Sequence, residues 1–396
     1  MLVLVGGGVG AFTLLRSGES RALDGTMLPS AVTSEPEEVW SYDYGSEDSY
    51  LNDAVGVGDR VVLVDDSGAA VGLDADGDEA WTADERSVSY AQAVPGHDDL
   101  VIVAGGEGGG VGGLSTEDGD ELWWTSSGFP VATAEGGLLV ADGFEEASST
   151  DLAWLDAESG DEKWRVEGVN NFSQDGDSVY VVRDDELSRL DLDSGKEDWS
   201  VDVSFDEDED YIQVVVAGGL VAVADDEVTA YDADGGDELW TYSPDGSDAD
   251  LSIGAYAADR VYVSESSYDE DNETSSTTVS VRDRKGTVAD LDLDEDEYFY
   301  GTGVEAGGTS WFVNLSESEI YDEDVKRVTS YDGALTLVDE GVYAAGSDSV
   351  EYYEYGESAS EWELDLPGGD SESTVTLYAV DDGLLVVADG EVTAYR

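Results

Sequence analysis

The sequence predicts an all-β fold, a single β-propeller built from four-stranded blades. Two observations carry this prediction: a tryptophan that returns at a near-constant spacing, and short apolar segments that alternate with Gly- and Asp-rich turns. Repeats of roughly 40 residues made of short strands are typical of a radial or stacked array. No stretch of the repeat region carries a sustained helical period, so we expect few helices.

The tryptophans follow an acidic, glycine-bearing turn. Five segments show the pattern most clearly: LDADGDEAW, LSTEDGDELW, LDAESGDEKW, LDLDSGKEDW and YDADGGDELW. Their tryptophans are separated by 42, 41, 35 and 41 residues. A large apolar side chain at a fixed place in each unit predicts packing against the next unit. We assign this structural role to Trp40, Trp81, Trp123, Trp164, Trp199, Trp240 and Trp362.

Each repeat unit reads as four short strands, as residues 211–244 illustrate. Runs of β-branched and aromatic residues are bounded there by Gly and Asp clusters, which is the signature of strands joined by hairpins. The second strand is apolar at consecutive positions, as at Val221–Val223, and a strand buried on both faces reads this way.

The number of blades follows from counting pairs of first and second strands. Such pairs start near residues 50, 88, 130, 170, 212, 252, 299, 334 and 376. Two of these units, near 250–293 and 298–331, lack the turn-plus-Trp ending. Eight blades is the commoner closure for repeats of this type, so we expect eight, with nine left open.

The two ends of the chain complement each other. The chain stops at Arg396 after two strands, and the strand around Trp40 has no blade before it. Joined, they would form one complete blade, and this closure would remove exposed sheet edges. The predicted domains are a leader and linker over 1–36 and one propeller over 37–396.

The composition is strongly acidic, with 95 Asp and Glu against 16 Lys and Arg, giving a formal net charge of −79. Because the acids are spread over every turn between apolar strands, the pattern does not indicate a disordered tail. Molar salt, with a screening length of about 3 Å, would relieve their repulsion, so we expect a halophilic source. Nucleic acid is excluded as a partner since no basic stripe exists. With no cysteine, disulfides, thiolate metal sites and Cys nucleophiles are excluded.

The N-terminal segment and the sequons favour export. Residues 1–15, MLVLVGGGVGAFTLL, are apolar but too short for a confident span and lack the basic start of a signal peptide. We interpret them as a truncated signal or an anchor, which would tether the chain to a membrane. Asn171, Asn272 and Asn314 each begin an N-x-Ser/Thr sequon and are candidate glycosylation sites. The expected location is extracellular or membrane-anchored, facing outside.

Motifs that could carry chemistry are few. Gly6, Gly8 and Ala11 imitate a dinucleotide fingerprint, but no helix and second strand follow. The Asp-x-Asp-Gly turns resemble the start of a calcium loop, yet Asp and Gly also suit hairpins for backbone reasons. His97 is the only histidine, so a His metal centre or a Ser-His-Asp triad has little support.

Two further groups of residues remain open to interpretation. Five arginines, in or next to apolar strands, are expected to pair with acids or to line the channel: Arg60, Arg183, Arg189, Arg260 and Arg282. Residues 264–278 and 204–210 form polar insertions, and insertions fall in loops where partners often bind.

The segments Leu155–Trp164 and Leu190–Trp199 resemble the pyrroloquinoline-quinone-type propeller repeat, which ends in Leu-Asp-Ala-x-(Thr/Ser)-Gly-x-x-x-Trp. The resemblance covers about residues 37–396. That family includes quinone-dependent dehydrogenases and non-catalytic scaffolds similar to the bacterial outer-membrane assembly lipoprotein BamB. The adjacent cysteines of the larger dehydrogenases are missing here, and no catalytic Asp can be assigned by motif.

From these observations we expect a monomeric, non-enzymatic scaffold that binds another protein or a component of the cell envelope, with no cofactor, no metal and no catalytic residue. The alternative is a sugar or alcohol oxidoreductase that uses the propeller channel with pyrroloquinoline quinone or calcium. A calcium-dependent surface protein is a third reading. The fold alone does not choose among them.

Overall fold

The computed structural model describes residues 20–21, 27–45, 49–105, 109–134, 136–142, 149–203, 212–244, 250–257, 259–269, 274–286, 288–291, 301–306, 309–331, 333–346, 348–366, 375–380, 383–388 and 390–396. Within these ranges the secondary structure is entirely β. They contain no helix that is long and apolar enough to span a membrane. The predicted dinucleotide-like leader and the insertion at 204–210 lie outside the described residues.

Nine four-stranded antiparallel sheets form the blades of a propeller, so the predicted fold is confirmed. The first three blades contain strands β4 (Leu51–Val57), β5 (Arg60–Asp65), β6 (Ala70–Leu73) and β7 (Glu79–Ala83); β8 (Tyr90–Val94), β9 (His97–Ala104), β10 (Val111–Ser115) and β11 (Glu121–Trp124); and β12 (Phe129–Ala134), β13 (Gly137–Asp142), β14 (Thr150–Asp156) and β15 (Glu162–Val169).

The next three blades follow the same order along the chain. They contain β16 (Asn171–Asp175), β17 (Ser178–Arg183), β18 (Glu186–Asp191) and β19 (Glu197–Asp202); β20 (Gln213–Ala217), β21 (Leu220–Ala224), β22 (Val228–Asp232) and β23 (Glu238–Tyr242); and β24 (Asp250–Ala257), β25 (Arg260–Asp269), β26 (Thr274–Asp283) and β27 (Val288–Leu291).

The last three blades include the one that joins the chain ends. They contain β28 (Gly301–Ala306), β29 (Thr309–Asn314), β30 (Glu319–Tyr321) and β31 (Arg327–Ser330); β32 (Ala334–Leu337), β33 (Gly341–Ala345), β34 (Ser349–Glu354) and β35 (Trp362–Asp365); and β36 (Thr376–Val380), β37 (Gly383–Ala388), β38 (Glu391–Tyr395) and β3 (Glu38–Asp43). A small hairpin of β1 (Ser20–Arg21) and β2 (Met27–Leu28) precedes them.

The blade count is nine, the alternative that the sequence left open, and not the expected eight. All nine predicted pairs of first and second strands form blades, including the two units that lack a terminal tryptophan. The predicted polar insertion at 264–278 is mostly strand, because β25 and β26 pair from Arg260 opposite Asp283 to Asp269 opposite Thr274. Its described Ser- and Thr-rich residues lengthen a hairpin.

The ninth blade closes the ring as predicted. Strand β3 pairs with β38, with Trp40 opposite Ala394 and Tyr42 opposite Val392. Two backbone hydrogen bonds between Glu37 and Arg396, of 2.9 and 3.1 Å, extend this pairing to the end of the chain.

The apolar core lies between neighbouring blades. One cluster, for example, joins Leu385 and Val392 of the ninth blade to Leu63 and Leu73 of the first. Second strands lie deepest, as at Val221 and Ala222, which are fully buried. Consecutive apolar residues suit this position because both faces of each blade contact another blade.

A repeated joint connects most blades. The indole Nε1 of the tryptophan on a fourth strand donates to a backbone carbonyl at the turn after the third strand of the next blade. The donor–acceptor distances are 2.8 Å for Trp81 to Thr116, 2.8 Å for Trp123 to Ala157, 2.6 Å for Trp164 to Leu192, 3.0 Å for Trp199 to Ala233 and 2.9 Å for Trp240 to Asp283.

The glycine of that turn completes the joint. Gly195 has a φ of +62°, and a Cβ built there would lie 2.5 Å from Cγ of Trp164. Glycine is needed at this position for two reasons, the left-handed backbone and the close approach of the ring. This geometry explains why the acidic Gly turn and the tryptophan recur together in the sequence.

Tyrosines make the joint at the two blades whose fourth strands lack a tryptophan. The hydroxyl of Tyr256 donates to the carbonyl of Asp322 at 2.9 Å, linking the sixth blade to the seventh. The hydroxyl of Tyr331 donates to the carbonyl of Glu357 at 3.0 Å, linking the seventh to the eighth. Tyr256 also stacks on Phe312, with ring centroids 5.0 Å apart.

Residues 28–37, here called the strap, cross the eighth blade. Leu28 is buried among Val304, Val313 and Leu337. Val32 donates its N–H to the hydroxyl of Tyr343 at 2.7 Å and accepts the indole N–H of Trp362 at 2.8 Å. The strap thus provides the acceptor for Trp362 where the ninth blade, made from two chain ends, has no turn of its own.

Candidate interaction surface

The first strand of each blade is an edge strand of its sheet, and polar side chains from the preceding blade bond to several of these edges. Asp53 accepts the N–H of Ala91 at 2.9 Å, and Gln213 accepts the N–H of Ile253 at 2.8 Å. Asn171 accepts the N–H of Val214 at 3.2 Å. Unpaired backbone groups are costly when buried, so these side chains serve the scaffold. The sequence signal was a polar residue inside an apolar first strand.

Gln92 differs from these three side chains. Its side chain is 8% exposed, its Nε2 donates to Oγ1 of Thr133 at 3.1 Å, and its Oε1 has no hydrogen-bond partner among the described residues. The next first strand begins Phe129-Pro130 and shifts register between Pro130 and Ala132.

The acidic turns after the third strands are held by their own first carboxylate. Asp74 accepts the N–H groups of Asp76 and Asp78 at 3.0 Å each, and Asp191 accepts the N–H of Ser194 at 2.9 Å. The Ser194 hydroxyl lowers the pKa of Asp191, and Lys163 followed by Ser159 lowers the pKa of Asp156. These Asx turns explain the Asp-x-Asp-Gly pattern by backbone bonding. Within the described ranges no cluster of three or more His, Asp or Glu is arranged to hold a metal.

The five arginines singled out by the sequence lie on second and third strands. Arg189 lies 3.6 Å from Asp234 and 3.7 Å from Asp198, and so joins the fourth and fifth blades. Arg183 and Arg260 each lie 3.8 Å from a neighbouring aspartate. Three of the five therefore pair with acids.

The other two arginines have different surroundings. The guanidinium of Arg282 lies 4.1 Å from the ring centroid of Tyr242 and 5.7 Å from that of Trp240, and burial lowers its pKa. Nη1 of Arg60 is buried without a hydrogen-bond partner among the described atoms. Stacking on aromatic rings stabilises a partly desolvated guanidinium.

The remaining candidates lie in varied environments. His97 is half-buried at the start of β9. Asn314 is fully buried and accepts the N–H of Ser316 at 3.2 Å, so the folded chain leaves no surface there for a glycan. Asn171 is half-buried between two blades, and Asn272 lies outside the described residues.

The two faces of the propeller differ in their connections. On one face, which we call the uniform face, first strands turn to second strands within two or three residues, as at 58–59 and 338–340. Third strands turn to fourth strands there through four to seven residues, as at 192–196. These turns carry the joints between blades, which fixes their length and sequence.

The opposite face, which we call the variable face, carries all other connections. Their lengths between the described strands run from one residue, at 170, to ten, at 203–212 and 366–375. Residues 203–212 and 292–300 each contain five acidic residues. Variation in length and composition is tolerated where connections do not build the scaffold, and binding residues concentrate there.

The turns of the uniform face therefore serve to join the blades into a ring. The connections of the variable face are free to bind a partner. A ring of nine blades gives that face a broad platform, and two of its connections are rich in acidic residues. Such an arrangement can hold a folded partner across several blades.

Comparison with protein families and known proteins gives one family match. A family model described as outer membrane protein assembly factor BamB matches residues 30–201 and 148–396. A comparison with curated proteins gives no match.

Three solved structures are similar to this chain. BamB from Moraxella catarrhalis has a TM-score of 0.42 and 14% identity, covering 97% of this chain and 98% of that one. The computationally designed Ika8 protein has a TM-score of 0.48 and 14% identity, covering 91% and 99%. A quinohemoprotein alcohol dehydrogenase from Pseudomonas putida HK5 has a TM-score of 0.49 and 12% identity, covering 96% and 80%.

Proposed function

Because the chain belongs to the family of the outer membrane protein assembly factor BamB, we propose that it is a non-enzymatic scaffold that binds another protein or a cell-envelope component. The match also confirms the predicted resemblance to the pyrroloquinoline-quinone-type propeller. We propose that the chain acts outside the cell, secreted or tethered by its N-terminal segment.

One observation carries the scaffold proposal: the division of the molecule into a uniform and a variable face. Selection for a joint between blades explains constant turns on one face, but it does not explain connections of one to ten residues on the other. A face whose connections vary in length and do not join the blades is typical of a binding surface on a rigid scaffold.

The test is crosslinking on intact cells in their native salt, followed by mass spectrometry of the captured neighbours. We expect one reproducible envelope protein, and its purified form should bind the purified propeller. Asp226→Arg, in the 225–227 connection of the variable face, should weaken that binding. Asp237→Arg, an equal charge change on the uniform face of the same blade, is the matched control. Failure to recover any partner from folded, abundant protein would refute the scaffold.

The alternative proposal is an oxidoreductase that uses the channel with pyrroloquinoline quinone or calcium. The described residues do not fit that cofactor, which carries several carboxylates. The described first strands carry no basic residue that could pair with those carboxylates. The side chains of Asp53, Asn171 and Gln213 on these strands already bond to neighbouring strands, and the five arginines lie on second and third strands.

Titration decides between the two proposals. Adding pyrroloquinoline quinone with calcium in molar salt should leave the unfolding temperature and tryptophan fluorescence of the scaffold unchanged. A saturable shift in either signal would favour the oxidoreductase.

A further inference from the structure

We infer that the strap fixes the N-terminal segment against the uniform face, so that a tethered propeller presents its variable face to partners. This inference rests on the proposed function and adds an orientation to it. The argument depends on where the strap lies, on where it leads and on how firmly it is bound.

The strap lies on the uniform face. Glu37 pairs with Arg396, which ends a third strand, and third strands end on that face. Pro29 accepts the N–H of Asp339 at 3.0 Å, and Ala31 donates to Oδ1 of Asp339 at 2.8 Å. Asp339 belongs to the turn at 338–340 between the first and second strands of the eighth blade. One contact is with the end of the chain and two are with a turn, and all three lie on the uniform face.

Toward its N-terminus the strap runs from the rim of the ring to its inner strands. Val32 meets Trp362, which lies on an outer strand, whereas Leu28 packs against Val304 of β28, the innermost strand of the seventh blade. Strand β1 also contacts β28. Ser20, the first described residue, pairs with Leu28 at the inner end of the strap.

The strap is bound as part of the core. Leu28 and Val32 are 2% and 7% exposed, and four hydrogen bonds join the strap to Asp339, Tyr343 and Trp362. A segment held by buried apolar contacts and satisfied backbone groups does not swing freely. An anchor on residues 1–19 would consequently hold the uniform face toward the surface to which it attaches.

Energy transfer to a labelled bilayer tests this orientation, and the chain is suited to it because it has no cysteine. Asp226→Cys places a fluorophore on the variable face, and Asp237→Cys places one on the uniform face of the same blade. The five-residue strand β21 separates the faces by roughly 17 Å. The probe is a phosphatidylcholine vesicle that carries an acceptor-labelled lipid, in molar potassium chloride.

We expect the full chain to show clearly higher transfer from position 237 than from position 226. Equal transfer from the two positions, or higher transfer from position 226, would overturn the proposed orientation but not the proposed tether. Absence of transfer from both positions would refute the tether on which the inference rests. A chain that begins at residue 20 should show no transfer, and transfer from it would mean that the propeller itself binds lipid and would also overturn the inference.

Discussion

At the scale of single residues, the fold depends on a joint made by one aromatic donor, one carbonyl and one glycine. The indole hydrogen bond satisfies a turn carbonyl that would otherwise be buried without a partner, and the glycine lets the ring approach. Because one blade supplies the tryptophan and the next supplies the turn, the joint recurs as a sequence motif. A substitution that disrupts the joint is therefore a clear test of its role in stability.

Gly195→Ala should destabilise the chain by about 2 to 4 kcal/mol, because it adds left-handed strain and a clash with Trp164. Gly235→Ala, in the equivalent turn of the next blade, is the control. Gly235 has no positive φ, and its built Cβ meets nothing within 4 Å, so we expect a change within about 0.5 kcal/mol. Denaturant unfolding in molar salt measures both; equal effects would contradict the joint.

Asp191→Ala should cost about 1 kcal/mol near neutral pH, because the carboxylate bonds to the N–H and hydroxyl of Ser194. Asp193→Ala, an exposed acid in the same turn, controls for the loss of one charge. The pKa of Asp191 is lowered in the fold, so its stabilisation is present above the ordinary value of 3.8 and is lost as pH falls through the folded pKa. The difference between the two variants should therefore shrink below that pH. A constant difference across the range would show that ionisation is irrelevant.

At the scale of elements, the same contact is made by different pieces of chain. Tyrosines from a first strand and from the connection after a fourth strand replace the tryptophan at two junctions. At the ninth blade the strap replaces a turn. Each of these junctions has a side-chain donor that bonds to a backbone carbonyl at a blade's edge. The residue that provides this donor varies with the position of the strand.

Tyr343→Phe should cost about 1 to 3 kcal/mol, because it leaves the N–H of Val32 without its acceptor. Tyr352→Phe is the matched control, since both rings are fully buried and the Tyr352 hydroxyl has no hydrogen-bond partner among the described residues. Its cost should stay within about 0.5 kcal/mol. Hydrogen exchange at Val32 should accelerate in the first variant alone. Unchanged exchange there would contradict the docking of the strap.

At the scale of the whole molecule, a net charge of −79 opposes a ring that is closed by short hydrogen bonds and apolar clusters. Each acid costs little alone, but the sum of their repulsions acts against compactness. The 16 basic residues offset only a small part of this repulsion. Among the described residues, ion pairs made by arginine bridge only some of the junctions between blades.

The unfolding temperature should rise steeply with potassium chloride up to about 1 M, as the screening length falls from about 10 Å at 0.1 M to about 3 Å. An uncharged solute at equal osmolality is the control and should give a much smaller rise. A flat response to salt would refute the halophilic interpretation of the acidic composition.

The sequence by itself determined most strands and turns of this protein, because these elements depend on residues that are close in the chain. The strand pairing of 265–269 with 274–278, where a loop was expected, was not foreseen. Alternating apolar runs, Asx turns and a tryptophan at a fixed offset placed the starts of all nine blades to within about two residues. Tertiary structure decided whatever depends on distant residues: the closure at nine blades, the tyrosine joints, the burial of Asn314 and the strap, whose bond to Trp362 spans 330 positions. It also separated a uniform face from a variable one. No local pattern encodes that division, because it appears only when alternate connections are brought together on the same side of a closed ring.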